Sequence, residues 1–161
     1  MTVTVARRTI QEAGADLPKR LRRETASCHR EVEAVADIAG PVRTRADYLE
    51  LLLRLYALHA GLERLLAAEV WAPGWTGVGL RIADYRRADQ LGADLDALGG
   101  TTSPHPISLP SFATFSQALG CLYVLEGSAL GGRRVAGIVR SAVGEVPAAF
   151  LTGIGRSQAA P

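Results

Sequence analysis

An all-α fold follows from three features of the sequence: apolar residues recur at helical spacing through 48–66, a long apolar segment at 111–142 holds no proline, and no stretch alternates apolar with polar. The chain of 161 residues is long enough for one domain with a core that needs no staples, and it contains no internal repeat. Eighteen basic and sixteen acidic residues leave a net charge of +2. They are spread along the chain without a basic run interleaved with aromatics, which argues against a nucleic-acid partner and suits an anionic small molecule equally well. No stretch reaches about 18 uninterrupted apolar residues, and 1–17 lacks an apolar run of signal-peptide length. The expectation is a cytoplasmic protein with no membrane partner. Cys28 and Cys121 carry no metal-site spacing and read as buried free thiols on the apolar sides of helices.

In chain order, 1–16 reads as a leader, and the first helix spans 18–38, with Pro18 tolerated in its first turn and Gly40-Pro41 as its stop. Its apolar stripe is Leu21, Thr25, Cys28, Val32 and Ala36. A capping box at Thr44-Arg45-Ala46-Asp47 opens the second helix, which runs to about 71 with Tyr48, Leu51, Leu52, Leu55, His59, Leu62 and Leu66 on one face. One proline and three glycines make 72–79 a loop. A third helix covers 80–98, broken at Gly92 and closed by Gly99-Gly100, with Leu91, Leu95 and Leu98 inward. The polar, proline-rich 101–110 is a connection, and Ser111 caps the long helix that follows. Beyond Gly144 the period decays: 146–152 suits one or two turns and 153–161 a tail.

The long helix is energetically odd. Within 119–135 it carries Gly120, Gly127, Gly131 and Gly132. Each interior glycine costs a helix roughly 1 kcal/mol against alanine, about 4 kcal/mol for the four. Helical geometry puts Gly120, Gly127 and Gly131 nearly on one line, beside an apolar stripe of Phe112, Leu119, Tyr123 and Leu130. A backbone bared in this way serves either a helix packed very close or a flat ligand lying against a bent helix.

Among the three histidines, His29 stands at the edge of its helix's stripe, with Arg22 and Glu33 on the same line. A neutral imidazole there can bind iron, Glu33 can take the proton of its other nitrogen, and Arg22, roughly 10 Å along the axis, can meet an anion. The plain alternative is a half-buried histidine bonded to Glu33. His59, with Glu63 one turn on, reads as a satisfied core histidine, and His105 sits between two prolines in a connection. The pairs His29/Glu33 and His59/Glu63 also allow a two-metal carboxylate site, although such bundles draw further ligands that this chain lacks. No nucleophile elbow, phosphate loop or dinucleotide-binding glycine pattern occurs.

Two motifs in chain order resemble the heme oxygenases, in particular the biliverdin-producing bacterial branch associated with phytochromes. Leu21-Arg22-Arg23-Glu24-Thr25-Ala26-Ser27-Cys28-His29-Arg30-Glu31-Val32-Glu33 looks like that family's proximal helix, and Tyr123-Val124-Leu125-Glu126-Gly127-Ser128-Ala129-Leu130-Gly131-Gly132 looks like its glycine-kinked distal helix. The resemblance covers about 17–150, and the helical domain is accordingly expected over 17–152. It implies a heme oxygenase-like multi-helix bundle in which His29 is the axial ligand to heme iron and Glu33 supports it. Arg22 faces a propionate, Gly127 and Gly131 bring backbone to bound oxygen, Gly132 completes the kink, and Ser128 bonds water where some members carry an acid. Heme would be cofactor and substrate, an external reductase or ferredoxin would supply electrons, and the products would be biliverdin, CO and ferrous iron, with a bilin-binding phytochrome as a further partner. Family members continue through further helices beyond 148–150, so the resemblance also implies a short C-terminus and a pocket open on one side, which suits a non-catalytic heme-binding homologue as the alternative.

Overall fold

The computed structural model describes residues 19–35, 40, 42–102 and 107–153, with the side chains of 33–35 outside that description. Among the described residues every regular element is helical. The chain divides into two compact units, Met1–Asp37 and Ile38–Pro161, so a boundary falls just ahead of Gly40, inside the 17–152 stretch.

In the first unit residues 19–24 are helical, Thr25 is a turn, and α1 follows (Ala26–Val35). The helical ladder runs through the turn: Thr25 N–H donates to Leu21 O and His29 N–H to Thr25 O, both at 2.9 Å. Thr25 Oγ1 donates to Leu21 O as well, at 2.8 Å, a back-bond that loosens the turn without breaking it. The stripe expected to be buried is not. Cys28 is exposed and Val32 keeps 62% of its surface, which corrects the reading of Cys28 as an interior thiol. A single amphipathic helix has no second apolar surface of its own against which to bury its stripe. Ala36 and the expected helix end at Ile38 lie outside the described residues.

The second unit begins with α2 (Arg45–Leu66), opened by the capping box that the sequence foretells: Thr44 Oγ1 accepts Asp47 N–H at 3.1 Å and Asp47 Oδ2 accepts Thr44 N–H at 2.8 Å. Tyr48, Leu52, His59, Leu62 and Leu66 form its buried face, as their period requires. The helix ends at Leu66 and not near 71, passes a 3₁₀ turn (Glu69–Trp71), and enters α3 (Ala72–Gly77) where a loop is expected. The proline sits in the first turn, where it is harmless. The buried Trp75 donates Nε1–H to Leu66 O at 2.9 Å, satisfying a carbonyl at the end of α2. Tertiary anchoring by that indole overrides the loop composition. Gly79, at φ +72°, then turns the chain.

A 3₁₀ turn (Ile82–Tyr85) precedes α4 (Ala88–Ala97), so the expected break lies ahead of the helix and not at Gly92, which is accommodated inside it. Leu91 and Leu95 are fully buried, and Gly99 closes the helix at φ +74°. The long helix starts later than expected, as α5 (Phe115–Ser128), because Thr114 and Gln117 make the capping box in place of Ser111. A 3₁₀ turn (Ala129–Gly131) joins it to α6 (Gly132–Val143). The last described element is α7 (Ala149–Thr152), where the sequence shows little. Val146, Ala148, Phe150 and Leu151 are all buried, and with Tyr48, Leu52, Leu91, Leu95 and Val139 they form the main core. A second cluster joins Leu66, Trp75, Ala118 and Leu122.

Candidate functional site

On α1, His29 and Arg22 are exposed. His29 Nδ1 lies 3.0 Å from Thr25 O, and because a carbonyl only accepts, this nitrogen carries the proton. The lone pair is then on Nε2, which is the form of imidazole that binds a metal. The backbone one turn before the ring thus holds Nδ1, and the side chain of Glu33 lies outside the described residues. The unbroken ladder through Thr25 keeps Arg22 and His29 on one line, as expected.

The second unit holds the glycines. A Cβ built on Gly120, Gly127 or Gly131 meets no other described atom within 4 Å. Among the described residues no close-packed helix accounts for these three. None has a positive φ, so backbone conformation does not demand glycine either. They lie on an exposed face that also carries Tyr123, Val124 and Leu130, which keep 56%, 63% and 88% of their surface, and Ile138 beyond them. The expected inward stripe of Tyr123 and Leu130 is corrected: both flank the glycines on the outside. Scattered surface apolar residues are ordinary, but a contiguous strip along one helix marks a place to be covered. Ser128 is exposed and its hydroxyl donates to Leu125 O at 2.7 Å, leaving its oxygen lone pairs to accept.

Gly132 behaves differently. It is buried, and a Cβ there would collide with the Leu151 carbonyl oxygen, with Leu151 C at 3.1 Å and Cα at 3.3 Å. It begins α6, directly after the 3₁₀ turn at 129–131, and faces the core and not the open side.

Among α2, α4 and α7 lies a buried polar constellation that the sequence reading largely missed. Glu63 Oε1 accepts Arg87 N–H at 2.7 Å and Ala88 N–H at 2.9 Å, so a carboxylate from α2 caps α4. His59, buried on α2, has Nδ1 3.8 Å from the same oxygen and its ring edge-on to Phe150 at 4.9 Å. Asp94 Oδ1 and Oδ2 accept Ala149 and Phe150 N–H, each at 3.0 Å. Arg87 Nη2 donates to Phe150 O at 2.9 Å while its guanidinium lies 4.5 Å over the Phe150 ring. Tyr48 OH donates to Pro147 O at 2.7 Å, and burial, with Asp94 adding to it, holds this phenol well above its ordinary pKa, so it stays a donor. One signal was available: Asp94 falls on the same helical stripe as Leu91, Leu95 and Leu98. Among the described residues no three His, Cys, Asp or Glu side chains gather as a metal set, and Glu63 is committed to the start of α4.

Burial pushes the Glu63 carboxyl up, but the His59 ring and the Arg87 and Ala88 amides outweigh it and hold the group below the ordinary carboxylate range. Because the folded pKa is depressed, its contribution is complete above the unfolded value near 4.5 and is lost as pH falls through the folded value. Glu63→Gln is therefore expected to unfold at lower urea than the parent at pH 7, by about 1 kcal/mol. The gap should narrow below pH 4.5; a gap that widens on acidification would contradict the assignment.

An apolar cleft of about 130 Å³ between Leu66, Ile82, Leu122 and Leu125, with Glu63 and Arg86 at its rim, is too small for a macrocycle. Cys121 is half-buried, and burial raises its thiol. No helix of the described residues is long and apolar enough to cross a membrane. Comparison with family models, with curated proteins and with solved structures finds no match to this chain.

Proposed function

We propose that the chain is a heme oxygenase-like protein, with heme as its ligand. The observation that carries this reading is the open strip over Gly120, Gly127 and Gly131, bordered by exposed Tyr123, Val124 and Leu130. A porphyrin is a flat apolar disc, and a helix face without Cβ atoms admits such a disc to backbone contact. Covering the flanking side chains returns about 25 cal/mol for each Å² of apolar surface taken from water. The donor chemistry fits as well: His29 keeps Nδ1–H on Thr25 O and offers Nε2, and Arg22 supplies positive charge for a propionate.

Heme, once bound, supplies the iron centre and the ring that is opened to biliverdin, CO and ferrous iron, with electrons from an external reductase or ferredoxin. The chain's own contribution is to orient and to exclude. Thr25 O fixes the His29 ring. Gly127 and Gly131 leave the distal side free of acidic side chains, so hydrogen bonding there falls to backbone and water. Ser128 can accept from such a water but, with its hydroxyl hydrogen on Leu125 O, is a weak proton source. That last feature favours a second reading, a heme binder with little turnover.

Titration of the purified chain with hemin separates these outcomes. A Soret-shifted complex is expected, weakened at least tenfold by His29→Ala; an unchanged spectrum in that variant removes His29 as ligand, and no complex in the parent removes the reading. Adding reductant under oxygen should yield biliverdin. Gly131→Leu should keep hemin binding but stop turnover, since its side chain fills the open strip. Hemin bound without biliverdin in the parent selects the non-catalytic binder.

A further inference from the structure

We infer that Arg87 and Asp94 are positioning residues for the distal glycines: gripping Ala149 and Phe150, they hold the Leu151 backbone against Gly132 and thereby set the place of Gly131. Both side chains are almost wholly buried, at 3% and 4% exposure. Asp94 stands on α4 and Arg87 is the residue just ahead of its first turn. Phe150 is held at both ends of its peptide group, its N–H on Asp94 Oδ2 and its O on Arg87 Nη2, while its ring lies between the guanidinium and the edge of His59. The frame is anchored in turn, since Glu63 ties the backbone of Arg87 and Ala88 to α2.

From Phe150 the linkage reaches the 3₁₀ turn without a flexible side chain. The Leu151 backbone lies directly against Gly132, where no Cβ fits between them. Gly132 is the first residue of α6, immediately after the 3₁₀ turn that holds Gly131. In an interior packed at crystal-like density, a shift of the strap by a few tenths of an ångström must pass to its backbone neighbour. A buried arginine and a buried aspartate are a poor choice for stability alone, because apolar residues of the same volume often do as well. They are suited to fixing a backbone in one register, since each hydrogen bond has a single satisfactory position.

The consequence for chemistry rests on the heme reading above, while the first arm of the test does not. Hydrogen exchange is followed by mass spectrometry on the full chain without heme, for the parent, Asp94→Asn, Arg87→Met and Thr44→Ala. The last loses the cap of α2 without removing a hydrogen bond of Arg87 or Asp94 and serves as a control for general destabilisation. In Asp94→Asn and Arg87→Met the amides of 131–136 should accelerate about tenfold more than those of 52–59, whose change reports the global loss of stability. In Thr44→Ala the two regions should move together. Equal acceleration of both regions in the strap variants, or none at 131–136, overturns the proposal. In the second arm, hemin-loaded Asp94→Asn should bind hemin within about threefold of the parent. The pH midpoint of its ferric spectrum should nevertheless move. An unmoved midpoint alongside fast exchange breaks the link to Gly131, and a parent that binds no hemin sinks the heme reading while leaving the exchange result to decide the strap.

Discussion

Gly132→Ala is expected to lower the unfolding free energy by about 3 kcal/mol, whereas Gly131→Ala leaves it unchanged or raises it by up to about 1 kcal/mol. The two positions are neighbours with similar helical dihedrals, near φ −57° and ψ −41° at Gly132 and φ −82° and ψ −12° at Gly131. Backbone entropy therefore favours alanine at both. The difference lies in what the new methyl meets. At Gly131 it enters open space; at Gly132 it meets the Leu151 carbonyl, which cannot retreat without loosening Phe150 from Asp94 and Arg87. Urea unfolding of the two variants in parallel is the measurement, and equal midpoints would show that α6 and α7 are not packed at backbone contact.

Asp94→Ala is expected to be comparably severe, about 3–5 kcal/mol. Alanine leaves the Ala149 and Phe150 amides without their acceptors, and a buried unsatisfied donor costs about 1–3 kcal/mol. It also removes the negative charge from a core that contains the Arg87 guanidinium. Asp94→Asn keeps the volume and one acceptor oxygen, so about half of the loss should return. Thermal unfolding at neutral pH orders the three proteins as parent, Asn, Ala; an alanine variant within about 1 kcal/mol of the parent would mean that the amides of α7 find water instead.

Much of the local structure was legible. The period from Tyr48 to Leu66 marked α2 and its inner face, Thr44 and Asp47 marked its start, and Gly99 marked the end of α4, because each is a short-range signal written in side chains that meet within a few residues. The helix at Ala72–Gly77 was hidden because its stability comes from Trp75 reaching back to Leu66 O, and the start of α5 was misplaced because two capping residues, Ser111 and Thr114, compete and only the second has Gln117 in register. The segment from Val146 to Leu151 was nearly silent. Six residues carry less than two helical turns, too little period to read, yet they fill the centre of the core.

The candidate site divides in the same way. The alignment of Arg22 with His29, and of Gly120 with Gly127 and Gly131, was fixed by sequence alone, because a helix of known pitch determines which residues share a line. Which of the four glycines face outward and which one bears on a neighbouring backbone could not be read there, since all four look alike until the partner surface is in place. Tertiary structure opened three of them to solvent, pressed Gly132 against Leu151, and set Thr25 O against the His29 ring. It also made Glu63, Arg87 and Asp94 the clamps of the core. The physical reason is one of range: periodicity and capping act over four to seven residues, whereas steric fit and the satisfaction of buried polar groups depend on residues 24 to 63 positions apart, and only folding brings those together.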